Sequence, residues 1–163
     1  GSVGIHEYVH ARRTFALAPG MRWFSEASAT YVSYRVLEEQ YDAVTDADVL
    51  ARFAARPDFE GVALANRSAW KGTGANYDRG AKLLYAVDAA VRAGSDGNHT
   101  LVDVFRALDR RDRPVSVPAF VRTVERYSGD DETWLRTAIT DPGDLDQRVE
   151  RASRVFANRT TVR

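Results

Sequence analysis

The chain has 163 residues, 44% of them hydrophobic and 28% charged, which suits one globular domain with a core of its own. Its 23 basic residues balance 23 acidic ones, which excludes a whole-domain basic field for nucleic acid, and no apolar run is long enough to cross a membrane. Cysteine is absent, which excludes thiol catalysis, disulfide stapling and cysteine-ligated zinc.

In chain order the elements read as helices. Gly1-Ser2 has the look of a tag remnant, and Val3 to about Leu17 predicts a first helix, with Ile5 and Val9 one turn apart. Ala18-Pro19-Gly20 breaks it. Ala27, Tyr31, Tyr34 and Leu37 recur every three to four residues and predict a second helix from about Phe24 to Gln40. Thr45 is a candidate N-cap for a short helix carrying Val49, Leu50 and Phe53. Residues 57–76 show no steady period and read as a long loop, a length often tied to function.

A long helix is expected from about Tyr77 to Arg92, ended by Gly94-Ser95-Asp96-Gly97. Thr100 caps another, with Leu101, Val104, Phe105 and Leu108 on one face. Ser116 and Pro118 start the next, which carries Phe120, Val121 and Val124 and ends near Gly129. A short helix from about Glu132 to Ile139 precedes the turn Asp141-Pro142-Gly143, and Leu145 to Phe156 predicts a last helix. No useful stretch alternates with the period of a strand, so the expected fold class is mainly α.

The sharpest chemical signal is His6-Glu7-Tyr8-Val9-His10, an H-E-x-x-H pattern that holds two of the three histidines in the chain. On a helix the two imidazoles share a face about 6 Å apart along the axis. Both nitrogens can then reach one ion at about 2.0–2.1 Å. Glu7 projects beside the same ion and can accept the proton of the attacking water. Such a site needs a third protein ligand. Glu26, sixteen residues after His10 and across the Pro19-Gly20 turn, is the leading candidate. The plainer reading of Glu26 is a solvated carboxylate favoured by a helix start.

These residues resemble a family. His6-Glu7-x-x-His10 followed by Trp23-Phe24-Ser25-Glu26-Ala27-x-Ala29-Thr30-Tyr31 looks like the gluzincin zinc metallopeptidases, nearest the aminopeptidase N and glycyl aminopeptidase branch. Tyr77-Asp78-Arg79-Gly80-Ala81 is similar to that branch's Y-x-K-G-A block, and Phe120 to Asp141 more weakly to its late helical segment. The gap between His10 and Glu26 is shorter than usual there, Ala27 stands for the common glycine and Arg79 for the common lysine.

The resemblance implies the helical half of a thermolysin-like catalytic domain, with the zinc helix at its N-terminus. It implies zinc on His6, His10 and Glu26, Glu7 as general base, and Tyr77 stabilising the tetrahedral intermediate of peptide hydrolysis. A peptide or protein is then the partner. Thr30, one turn beyond Glu26, is a candidate donor behind the ligand carboxylate, or packs and bonds within its own helix. Residues 1–163 are expected to be a single domain cut from a longer catalytic region, with 3–142 the peptidase-like part and 143–163 a C-terminal extension. The alternative is a non-catalytic helical module with a structural or vestigial zinc site.

Lesser signals complete the reading. Asn66, Asn98 and Asn158 each open an N-x-S/T triplet, which favours an extracytoplasmic or cell-surface location. Arg12-Arg13 and Arg110-Arg111-Asp112-Arg113 read as solvated charge runs, and Arg79 as a surface ion pair or a contact for a substrate carboxylate. Trp23, Trp70 and Trp134 are expected in the core or as subsite walls, and Asn76 beside Tyr77 has a weak claim as a substrate contact.

Overall fold

A computed structural model describes Gly4, residues 14–40, Asp48 and residues 51–53, 55–57, 59–143 and 145–160. Within them the chain is mainly helical, as its periodicity predicts. After a single 3-10 turn, Pro19–Met21, come α1 (Phe24–Gln40), the short α2 (Arg67–Trp70) and α3 (Ala75–Gly94). Then follow α4 (Leu101–Asp109), α5 (Val117–Ser128), α6 (Thr133–Thr140) and α7 (Asp146–Thr160). No helix among the described residues is long and apolar enough to cross a membrane.

Local chemistry sets the helix ends. Thr100 and Asp103 form a capping box at α4, each side chain serving the other's backbone N–H region. The Ser116 hydroxyl accepts from the Ala119 N–H at 3.3 Å, and Pro118 sits in the first turn of α5, where its missing N–H costs nothing. Gly129 ends α5 at φ +77°, a left-handed conformation that a side chain disfavours.

α3 is the central element, packed against α1, α5 and α7. Where it meets α1 there is no spare room: a Cβ built on Gly80 would lie 2.6 Å from the Ala27 Cβ and 3.2 Å from Trp23 Cε3. Further along α3, the buried Asp88 accepts from the Tyr31 hydroxyl of α1 at 2.6 Å and from the Leu101 N–H of α4 at 2.8 Å. Arg92, one turn on, lies 3.0 Å from the same carboxylate. One buried charge thus ties three helices and has its own partners, the condition for burying it at all.

Two aromatic clusters flank this contact. Phe24 packs on Phe105 and Phe120 with centroids 5.3 Å apart in each case, and Trp23 meets Phe120 at 6.4 Å. On the other flank Tyr31, Phe53, Tyr85 and Phe156 follow one another at 5.7, 5.4 and 4.8 Å. Each fully buried ring of this kind contributes about 1.5–3 kcal/mol.

Several expectations are corrected. The first helix does not extend to Leu17: residues 14–17 are non-helical, and Leu17 forms an isolated parallel bridge with Val115. The backbone there bonds across the fold instead, Ala18 N–H to the Val115 carbonyl and Val115 N–H to that of Ala16, each at 2.9 Å. The stretch 57–76 is not wholly irregular, because Asn66 caps the four-residue α2 by accepting from the Ser68 N–H at 3.1 Å. α3 starts two residues before Tyr77, and α7 runs on past Phe156 to Thr160. Thr45, Val49 and Leu50 lie outside the described residues, while Phe53 is helical and buried. Asn66 and Asn98 are exposed, as are residues 110–113.

Gly80→Ala is expected to cost about 1–3 kcal/mol by overpacking, read from urea melts, and Gly80→Ala with Ala27→Gly should recover most of it. Tyr31→Phe should cost about 1.5–3 kcal/mol, because it removes a hydrogen bond to a buried carboxylate. Burial and the Asp88 charge hold the Tyr31 hydroxyl well above its ordinary value of 10.0. The folded state keeps this proton more tightly than the unfolded chain does. The Tyr31 contribution is therefore complete below about pH 10 and falls as pH rises beyond it, which an alkaline melt series of wild type against Tyr31→Phe would read.

Candidate metal centre

His6, Glu7 and His10 lie outside the described residues. From Thr14 onward the chain is tied down. Thr14 donates through its N–H and hydroxyl to Asp109 Oδ1 at 3.2 and 3.0 Å. Phe15 then packs on Phe24, in the first turn of α1, with centroids 6.0 Å apart.

Glu26 stands in that same first turn and is half-buried. The unpaired N–H groups of a helix start favour a carboxylate there. The neighbouring Ala27 is the residue that meets Gly80. Three residues before Gly80, in the first turn of α3, is Tyr77, a large side chain left 41% exposed. The crossing at Ala27 and Gly80 therefore brings the first turns of α1 and α3, and with them Glu26 and Tyr77, to one end of the helix pair. Thr30 is buried one turn beyond Glu26, and Asn76 is buried in the first turn of α3.

Two residues steady this end that the sequence reading did not single out. Arg56 pairs with Asp78, the residue after Tyr77, and donates to the Tyr34 hydroxyl of α1 at 2.6 Å. Its guanidinium also lies over the Tyr34 ring at 4.9 Å. The segment before residue 57 is thereby clamped to both helices beside Tyr77. An acidic residue in a helix first turn was the available signal for Asp78; nothing local marks Arg56 as its partner.

Arg79 corrects its expectation. It is neither a surface ion pair nor open to substrate: it is fully buried and donates through Nη2 to the Gly143 carbonyl at 2.6 Å. Lys82, also buried, reaches Asp146 Oδ1 at 3.4 Å. Both cations hold the turn into α7 against the N-terminal half of α3. Trp23 and Trp70 are core residues, Trp70 donating to the Leu64 carbonyl at 2.8 Å, whereas Trp134 is half-buried and lines a cleft.

Among the described residues no group of three or more His, Asp or Glu is arranged to hold a metal ion. Of the expected ligand set they contain Glu26, a half-buried carboxylate at a helix start, the residue type that offers zinc an oxygen ligand. Comparison with protein-family models, curated proteins and solved structures finds no match to this chain.

Tyr77→Phe keeps the ring of a side chain that is 41% exposed, and is expected to cost no more than about 1.5 kcal/mol, the range of one ordinary hydrogen bond. A thermal melt that shifts strongly would mean the hydroxyl is structural.

Proposed function

We propose that the chain is the helical half of a zinc-dependent metallopeptidase catalytic domain of gluzincin, thermolysin-like type, with a peptide or protein as substrate. In this reading His6, His10 and Glu26 hold zinc, which when bound polarises the scissile carbonyl and acidifies a water. The Glu7 carboxylate accepts the proton of the attacking water and later delivers it to the leaving amine. The Tyr77 hydroxyl donates to the oxygen on which negative charge develops. Arg56 and Asp78 hold the turn that carries Tyr77, and Thr30 supports the helix face behind Glu26.

The observation that carries this reading is the close crossing at Ala27 and Gly80, which packs the first turn of α1, with Glu26, on α3 one turn from Tyr77. Packing of Phe15, five residues after His10, on Phe24 supports it. Retention of Glu7 favours catalysis over a purely structural metal, which has no use for a base between its ligands.

Metal analysis of protein purified without chelator should find about one zinc per chain. Glu26→Ala should weaken zinc binding by more than the roughly 10–100-fold typical of residues that merely support a ligand. Glu7→Gln should retain zinc and lose peptide hydrolysis. Absence of zinc even after it is supplied, or full occupancy in Glu26→Ala, would overturn the reading. Zinc held by a wild-type chain that cleaves no peptide would favour the non-catalytic module.

A further inference from the structure

At the opposite end of α3 from Tyr77, the side chains of Ala86, Ala89, Ala90 and Ala93 line a cleft of about 370 Å³. Their spacing sets four methyl groups in one stripe along the helix, a smooth apolar floor. The volume lies at the lower end of the roughly 300–1,000 Å³ of small-molecule sites.

The walls are charged and of opposite sign. The turn between α5 and α6 supplies Asp130, Asp131 and Glu132, while α7 supplies Arg148 and Arg151. Trp134 stands between them. Its indole N–H donates to the buried Glu132 carboxyl, and the Arg148 guanidinium lies 4.5 Å over its ring. Burial pushes the Glu132 carboxyl up and the Arg148 guanidinium down from their ordinary values, so both charges are held partly out of water. The Asp131 carboxylate is committed to Thr133, whose N–H donates to it at 2.8 Å and whose hydroxyl donates as well. Asp130 and Arg151 are exposed at the mouth.

Glu132 and Arg148 attract each other across Trp134 without coming into contact, and Asp130 and Arg151 stand outside that pair at the mouth. Among the described residues no ion pair joins the acids of the 130–132 turn to the arginines of α7. Trp134 lies between the walls, in contact with Glu132 on one side and Arg148 on the other. A gap with an acid on one side, a guanidinium on the other and an apolar floor is complementary to a molecule that carries both charges on a short apolar body.

We propose that this cleft binds a small zwitterion, a free α-amino acid or a dipeptide, with its carboxylate on Arg151 and Arg148, its ammonium on Asp130 and its side chain on the alanine floor. Arginine suits the carboxylate because its planar fork can donate two parallel hydrogen bonds. The inference does not rest on the metal reading: the cleft shares neither Glu26 nor Tyr77, and its test reads binding, not hydrolysis.

The test is calorimetric titration of the 163-residue chain with L-leucine and with L-leucyl-L-leucine. The analogues are leucinamide, which lacks the carboxylate, and N-acetyl-leucine, which lacks the ammonium. Arg151→Ala and Asp130→Asn alter exposed side chains, and unchanged far-UV circular dichroism certifies their fold. Saturable binding of either zwitterion is expected, weakened about tenfold or more in both analogues and in both variants, as loss of a charge-assisted partner requires. The stronger of leucine and dileucine identifies the size of ligand. The proposal is overturned if neither zwitterion binds, or if a charge-capped analogue binds as tightly as leucine. It is equally overturned if both variants bind like wild type, which would move the ligand to another site.

Discussion

Ala27 and Gly80 meet with no room for one more methyl group, and the rest of the structure is arranged around that contact. Two helices that approach this closely cannot slide past one another, because a shift along either axis would drive a larger side chain into the gap. The register of α1 on α3 is thereby set at their N-terminal ends. Glu26 and Tyr77 each lie within a turn of that contact. Trp23 seals it from one side and joins it to the ring cluster of Phe24 and Phe120.

Asp88 performs a complementary task two turns further along α3. A buried carboxylate is costly unless its lone pairs are used; here a phenol and a backbone N–H donate to it, and the Arg92 guanidinium balances its charge at 3.0 Å. Because these partners come from α1, from the start of α4 and from α3 itself, the carboxylate fixes where α4 begins. With its first half pinned by close packing and its middle by a buried charge, α3 is a rigid axis. Its two ends then carry different chemistry. One end has a half-buried carboxylate and an exposed tyrosine; the other has an alanine floor between walls of opposite charge.

Much of the helical outline was legible in the sequence where local rules decide it. Thr100 and Ser116 bond to backbone within three residues of themselves, so the starts of α4 and α5 could be read from residue type alone. Gly129 and the turn after Thr140 were readable for the same reason. The errors fall where distant contacts decide. The helical pattern before Leu17 stops early because residues 16–18 exchange hydrogen bonds with Val115, almost a hundred residues away. α2 is too short for a periodic signal and exists because Asn66 caps it and Trp70 is drawn into the core. Arg79 reads as a surface cation from its type. It is buried instead, and donates to the Gly143 carbonyl 64 residues on, a partner no local rule marks.

The candidate metal centre divides along the same line. The sequence by itself determined the chemistry on offer: two histidines at helical spacing, a glutamate between them, and Glu26 and Tyr77 downstream in blocks that resemble one family. Residue type and short spacing carry that information, since a helix turn converts them directly into a shared face. Tertiary structure alone decided that the first turn of α1, which carries Glu26, packs on α3 one turn from Tyr77, and that Arg56 rather than a nearer residue braces Asp78. It alone decided that Asp130 and Arg151 face one cleft without closing it. Those outcomes depend on which helices pack and at which residue they touch, and that depends on the absence of a side chain at Gly80, whose meaning appears only when Ala27 is set against it.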